Sequence, residues 1–183
     1  MTTASLPPAG SHAELRARFR WDIPAACNIA AECCDRWADG SGRTALVHLH
    51  DSGAVERISF DDLHRRTCRL ANVLLVNGIA RGDRIGVLLS QSPEAAVAHL
   101  AAYRLGAIAV PLFLLFGEDA LEYRLADCGA AAIVTDQAGL AKLDGIRARL
   151  PAVKLVLAAG GGPGARDQHA EIDRARDSHA CAA

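Results

Sequence analysis

Residues 84–112 read RIGVLLSQSPEAAVAHLAAYRLGAIAVPL, and this stretch decides the fold. Arg84–Ser90 is a nearly continuous apolar run, the pattern of a strand covered on both faces rather than one alternating between core and solvent. Ser92-Pro93-Glu94 then supplies a helix cap, a proline at the first helical position and an acid in the first turn. Val97, Leu100, Ala101 and Leu105 recur at helical spacing, Gly106 closes the helix, and Ala107–Leu112 reads as a second strand. Strand, helix and strand joined by short turns make a unit whose right-handed crossover leaves the two strands parallel.

The unit repeats downstream. Gly117-Glu118-Asp119 begins a helix with Leu121, Leu125 and Cys128 on one face, Gly129 ends it, and Ala131–Thr135 is the third strand. Asp136 caps a helix carrying Leu140, Leu143 and Leu150, which Pro151 stops before a fourth strand, Val153–Ala158. Upstream, Asn28–Trp37 reads as a short helix. Ala45–Leu49 and Val55–Ile58 read as strands joined by the turn Asp51-Ser52-Gly53. Ser59, three residues before Asp62, begins a helix lined by Leu63, Leu70 and Leu74 and ended by Asn77-Gly78. The predicted class is α/β, with strand-helix repeats forming a mainly parallel sheet. Residues 1–18 read as a flexible N-terminus and 19–158 as the folded portion. Residues 159–183 read as a Gly/Pro-rich linker and polar tail, because apolar periodicity fades beyond Gly160.

Composition narrows the function. Apolar residues make up 51% of the 183, which suits a chain with a packed core. Lys and Arg total 20 against 21 Asp and Glu. That balance lacks the concentrated basic face that nucleic-acid or anionic-membrane binding requires. The longest strongly apolar stretch, Ile108–Phe116, is shorter than the roughly 20 residues of a membrane-spanning helix. With no secretory pattern over Met1–Gly10, a cytoplasmic location is expected. The six cysteines contain no C-x-x-C pair, and adjacent Cys33-Cys34 is poorly suited to one tetrahedral metal, so free thiols are expected.

Candidate chemistry is sparse. Gly160-Gly161-Gly162-Pro163-Gly164 follows a strand, as a phosphate loop would. However, Pro163 removes a backbone donor and Ala165-Arg166-Asp167 stands where Lys-Ser/Thr is wanted, so a flexible turn is expected. Ser90-Gln91-Ser92-Pro93 lacks a dinucleotide fingerprint. His48 and His50 share a strand face without a third metal ligand beside them, which favours a solvated face. Ser92, His99 and Asp119 lack the G-x-S-x-G setting of a hydrolase, and Ser92 is better read as a cap. Phe113, Leu115, Phe116 and Gly117 lie on the loop after the second strand, at the sheet edge where α/β ligands lie. That loop either lines an apolar pocket or makes ordinary core contacts.

Two segments resemble the core motifs of the adenylate-forming (AMP-binding) superfamily. Ile58-Ser59-Phe60-Asp61-Asp62-Leu63 is similar to its Leu-Thr/Ser-Tyr-x-Glu-Leu motif, and Gly106-Ala107-Ile108-Ala109-Val110-Pro111-Leu112 to its Gly-Ala-x-x-Val-Pro-Leu signature. Between them, Gly78, Gly82-Asp83 and Val87 match the family's Gly-Val-x-x-Gly-Asp-Arg-Val-Ala stretch. Phe116–Leu125, Phe19–Pro24 and Asn28-Ile29-Ala30 resemble bacterial short- and medium-chain acyl-CoA synthetases. The resemblance covers about residues 19–158.

It implies the N-terminal portion of the synthetase large domain, incomplete, from an acid-thiol ligase of fatty acid metabolism. Such enzymes turn a small carboxylic or fatty acid, ATP and CoA into acyl-CoA, AMP and pyrophosphate, and they need Mg2+ and a catalytic lysine. The 183 residues hold no Ser/Thr-Gly-rich-Lys loop, no adenine or ribose motif and no catalytic-lysine context. The resemblance therefore implies an inactive fragment that binds no cofactor of its own, or alternatively a module assembling with a separately encoded C-terminal part. Half a synthetase core would also leave apolar surface exposed, an opening for self-association. The loop of Phe113, Leu115, Phe116 and Gly117 is the part the resemblance places towards the acyl/CoA side.

Overall fold

A computed structural model describes residues 6–21 and 24–182. Residues 1–5 of the expected N-terminal segment, Asp22 and Ile23 of the Phe19–Pro24 stretch, and Ala183 lie outside the described residues. The chain begins with α1 (His12–Arg18), capped by Ser11 and burying no residue. The short α2 (Ile29–Cys33) follows, capped by Asn28, and then a 3-10 turn at Asp35–Trp37. An antiparallel hairpin pairs β1 (Thr44–Leu49) with β2 (Val55–Ser59), and α3 (Phe60–Val76) begins at once, because the Ser59 hydroxyl accepts from the Asp62 amide.

The strand-helix repeat then runs as the apolar pattern predicts: β3 (Arg84–Leu88), α4 (Pro93–Arg104), β4 (Ile108–Pro111), α5 (Glu118–Asp127), β5 (Ala132–Thr135), α6 (Gln137–Asp144) and β6 (Leu155–Ala158). The caps work as read, with Ser92 accepting from Ala95 N and Asp136 from Gly139 N. Two helices are shorter than expected: the one read over Asn28–Trp37 stops at Cys33 and gives way to the 3-10 turn at Asp35–Trp37, and α6 is the other. α6 stops at Asp144, and a 3-10 turn at Arg147–Arg149 carries the chain to Leu150, which is still buried.

Residues 159–183 differ from the linker and polar tail expected there. A two-residue strand, β7 (Arg166–Asp167), pairs in parallel with β6, and α7 (Gln168–Arg174) follows, capped by Asp167. Beyond it the chain is held by side chains from elsewhere. Asn72 Nδ2 donates to the carbonyls of Arg176 and Ser178 at 2.8 and 3.0 Å, and Ala182 N donates to Arg104 O at 2.8 Å. Periodicity was a poor guide here because Ile172 is the main apolar anchor of α7, and polar groups do the rest.

The five-stranded sheet has the order β4-β3-β5-β6-β7, every neighbour parallel. Helices cover both faces. α3, α4 and α7 pack on one, around Leu70, Leu74, Ile85 and Val97, and α5 and α6 pack on the other, around Leu121, Leu125, Ile133 and Leu143. From β3 the chain adds β4 on one side and then crosses back to add β5 on the other, so the topological switch lies between β3 and β5.

Candidate functional site

The switch point itself is filled. Thr135 is fully buried and its hydroxyl donates to Leu88 O at 2.9 Å, while Asp136 Oδ2 lies 3.4 Å from both the amide and the hydroxyl of Ser90. α6 packs so closely that a Cβ on Gly139 would collide with the Thr135 hydroxyl and the Leu88 side chain. Glycine lets the helix close this crevice, and the accessible space lies one strand over.

There, β4 is followed by the buried Leu112 and the chain turns through Phe113–Phe116, where Phe116 N donates to Phe113 O at 2.9 Å. Phe113 and Leu115 are 61% and 80% exposed, so half of the turn's apolar surface faces outward rather than into the core. The Phe113 and Phe116 rings meet edge-on at 6.0 Å, and the Arg124 guanidinium stands 4.2 Å over the Phe116 ring, a cation–π contact. Gly117 caps α5 with its backbone, and no side-chain bond closes that cap. Lys142, from α6, donates to the carbonyls of Leu114 and Phe116, the latter at 2.9 Å. A turn that would otherwise end in unpaired carbonyls is thus clamped by a cation from the neighbouring helix.

Beneath the turn is an open cleft of about 480 Å³ whose walls include Val87, Leu89, Ser92, His99, Phe113 and Phe116. Burial pushes the His99 imidazole below its ordinary pKa, so the ring is neutral at pH 7, with Nδ1 3.5 Å from the Tyr103 hydroxyl. A neutral imidazole in an apolar cleft offers one N–H donor and one acceptor nitrogen and carries no charge. The structure therefore brings Phe113 and Phe116 to a cleft, leaves Leu115 in solvent, and uses Gly117 as a helix cap.

The remaining sequence candidates do not assemble. Ser92 Oγ is occupied with the Ala95 amide at 3.3 Å, and among the described residues no hydrogen bond joins it to His99. The His48 and His50 rings meet edge-on at 4.4 Å, and His50 Nε2 lies 3.5 Å from Glu56. Among the described residues no three His, Cys, Asp or Glu side chains converge as a metal site. In the glycine-rich turn, Gln137 Nε2 donates to the carbonyls of Ala159 and Gly161 at 3.0 and 2.7 Å, so the side chain at that turn is aimed at its oxygens. All six cysteines are free thiols.

Sequence reasoning missed a buried polar cluster between α2, α3 and α4. Arg104 is 1% exposed; its guanidinium bonds Asp35 and donates to His179 O at 2.9 Å and Cys181 Sγ at 3.3 Å. His64 Nδ1 lies 2.8 Å from Asp35, and Cys68 Sγ 3.5 Å from His64 Nε2. Burial alone would raise the Asp35 carboxyl, but the bonds from Arg104 and His64 outweigh it and hold the group below its usual range. Burial pushes the Cys34 thiol up to about 12 and the Cys181 thiol up to about 11. Both stay protonated at neutral pH, which removes them as nucleophiles and leaves the cluster a structural device. Its only sequence signal was a helix-terminal Arg104, which reads as ordinary dipole compensation.

Comparison with known proteins matches this geometry to one family. The profile described as AMP-binding enzyme matches residues 34–181. Acetyl-coenzyme A synthetases of Novosphingobium aromaticivorans and Escherichia coli are 39% and 36% identical over 125 and 124 residues, 67% of this chain and 19% of each relative. The crystal structure of a Brucella canis acyl-CoA synthetase superposes with a TM-score of 0.77 at 32% identity, covering 86% of this chain and 29% of that one. An anthranilate CoA ligase, AuaEII, solved with anthranoyl-AMP, superposes with a TM-score of 0.78 at 25% identity over 88% and 30%. The chain spans about a fifth of the length of the curated relatives it matches.

Proposed function

The chain belongs to the AMP-binding enzyme family, and we propose that it is the early scaffold portion of an ATP-dependent acyl-CoA synthetase, without adenylating activity of its own. One observation carries the second half of that reading. The only lysines are Lys142 and Lys154, and both ammonium groups are committed to backbone carbonyls: Lys142 to Leu114 and Phe116, Lys154 to Gly78. Making an acyl-adenylate turns a carboxylate oxygen into a nucleophile toward a polyphosphate, and that step needs cations free to meet the phosphate charge. Each lysine already has a backbone partner, so neither stands ready for that task.

The contribution of these residues to the whole reaction is positional. The turn Phe113–Gly117, braced by Lys142 and Arg124, walls an apolar cleft on the side where a short or medium acyl group or CoA would lie. The setting is the cytoplasm and the pathway fatty acid activation. The pure chain, given ATP, Mg2+, CoA and acids from acetate to octanoate, should release no pyrophosphate above the uncatalysed background. Robust release would overturn the reading.

A second reading has its own observation. On one face of the hairpin, Val47, Leu49 and Val55 are 57%, 68% and 56% exposed, with Leu49 directly opposite Val55. This uncovered apolar strip suits a module that assembles with a separately encoded remainder of the synthetase, or with itself. Co-expression with a C-terminal synthetase polypeptide should then yield a complex that adenylates acids; two polypeptides that never copurify would defeat this version.

A further inference from the structure

We propose that residues 176–182 form a strap that lies closed over Arg104 at neutral pH and opens as a unit, about a hinge at Ala175, when His179 takes up a proton. The strap follows α7, whose C-cap Ala175 is already extended, with φ −84° and ψ 155°. It contains no helix or strand, and none of its residues is fully buried; His179, Cys181 and Ala182 are half-buried. Side chains from three other places hold its main chain instead. Asn72 of α3 donates to Arg176 O and Ser178 O, Arg104 of α4 donates to His179 O, and Asn28 donates to Ala182 O at 2.9 Å. The backbone adds the bond from Ala182 N to Arg104 O at 2.8 Å. Hydrogen bonds that water can replace contribute little net each, and a segment with no buried apolar side chain lies at the low end of local opening energies. The strap can therefore detach while the sheet stays folded. Opening leaves Arg104 its Asp35 partner, so no charge is stranded.

His179 is the titrating group of the strap. Its Nδ1 lies 2.7 Å from Asn72 Oδ1. Asn72 Nδ2 is spent on two carbonyls, so Oδ1 accepts and the neutral ring carries its proton on Nδ1. A further proton goes to Nε2, and the groups around the ring oppose it. Arg104, from α4, is a cation beside it. From α3 come the Cys68 thiol, with Sγ 4.0 Å from His179 O, and His64, which contacts that thiol. Asp35, on the 3-10 turn, is already shared by Arg104 and His64. On the strap itself, Cys181 Sγ bonds Asp35, and Asp177 is exposed to water, which screens it. Burial and the Arg104 charge hold the closed ring below its ordinary pKa. A ring depressed in the closed state and ordinary in the open one favours opening as the pH falls through about 6.5.

The test is hydrogen exchange on the full chain at about pH 7.5 and 5.5, each rate divided by its intrinsic value at that pH. The Ala182 amide, which donates to Arg104 O, should lose up to about tenfold of its protection between the two, the ceiling for one imidazole titrating near 6.5. The amides of β5 should keep theirs. His179→Gln can still donate to Asn72 Oδ1 but does not titrate, so its Ala182 protection should be equal at both pH values, with β5 protection showing that the variant is folded. A fall that survives in His179→Gln would assign the proton to His64 or Asp35 and overturn the proposal. So would β5 amides that lose protection in step with Ala182, which is unfolding of the whole chain. An Ala182 amide unprotected at pH 7.5, or equally protected at both pH values in the unsubstituted chain, would sink it as well.

Discussion

The two faces of the central sheet are built in different ways. On the α5/α6 face the buried cluster is aliphatic, with Leu88, Leu112, Leu121, Leu125, Ile133, Leu143 and Ile146 filling the space between two crossover helices and the strands beside them. On the other face, α3, α4 and α7 enclose three buried polar residues, Thr67, Arg104 and Gln168, together with the ion pair of Arg104 and Asp35. The first face is assembled by neighbours in sequence. The second gathers α2 from one end of the chain and residues 176–182 from the other, and α2 buries only Ala30. Hydrogen bonds do the fastening: Asn28, which caps α2, donates to Tyr103 O and Ala182 O, Asn72 to Arg176 O and Ser178 O, and Arg104 to His179 O. Apolar packing tolerates many shapes, whereas a buried charge tolerates only the partner it was built for.

The largest effect should therefore come from Arg104. Arg104→Met leaves Asp35 without its guanidinium partner and strips the donors from His179 O, costing about 3–5 kcal/mol in urea unfolding. Adding Asp35→Leu should recover much of that loss; if the double variant is as unstable as the sum of the two single ones, the pair is not the unit argued for. On the aliphatic face, Leu125→Ala should cost about 2–4 kcal/mol, but Leu125→Met under about 1.5 kcal/mol. A methionine swap as damaging as the alanine would show that this face is as shape-specific as its counterpart.

Acid should act on the polar face. Burial lowers the pKa of His179, with the nearby Arg104 cation adding to it, and burial lowers that of His99. The unfolded chain titrates these groups near their ordinary value, so between that value and the depressed one it binds more protons than the folded chain. Stability must fall as pH drops through about 6.5. Asp35, whose folded pKa is depressed, adds a further loss only as pH falls below the ordinary carboxylate range. Melting temperatures at pH 7.5 and 5.5 check the sign, and His179→Gln should flatten the slope. The smallest change is at a cap: Ser92→Ala removes the acceptor for the Ala95 amide and should cost about 1 kcal/mol. A cost near zero would mean that water replaces the hydroxyl there.

Local chemistry was legible where one residue could satisfy its own neighbourhood. The caps at Ser59, Ser92 and Asp136 follow from a hydroxyl or carboxylate placed three residues before an orphan N–H, and each forms that bond. The strands β3, β5 and β6 were visible because burial on both faces leaves no polar position in β6, only the terminal Thr135 in β5 and only the edge residue Arg84 in β3. The Phe113–Phe116 turn was legible as apolar surface at the sheet's C-terminal edge, but its fastening was not. Lys142 is separated from Leu114 by 28 residues, and nothing about a lysine in α6 announces a carbonyl partner in another loop. The final strand and helix were obscured for the same reason, since α7 has one strong apolar anchor and borrows its support from α3 and α4.

The sequence by itself determined the alternation of strand and helix, the parallel sheet and the family, because apolar periodicity, caps and contiguous motifs are properties of neighbours along the chain. Only the tertiary structure decided that Arg104 is buried, that Lys142 clamps a turn, that the switch point is closed by Gly139 and that Gln168 is buried with its amide unmet. Each of these depends on partners tens of residues away. A polar side chain has the same propensity whether its partner is water or a distant carbonyl, and only the packed chain distinguishes the two.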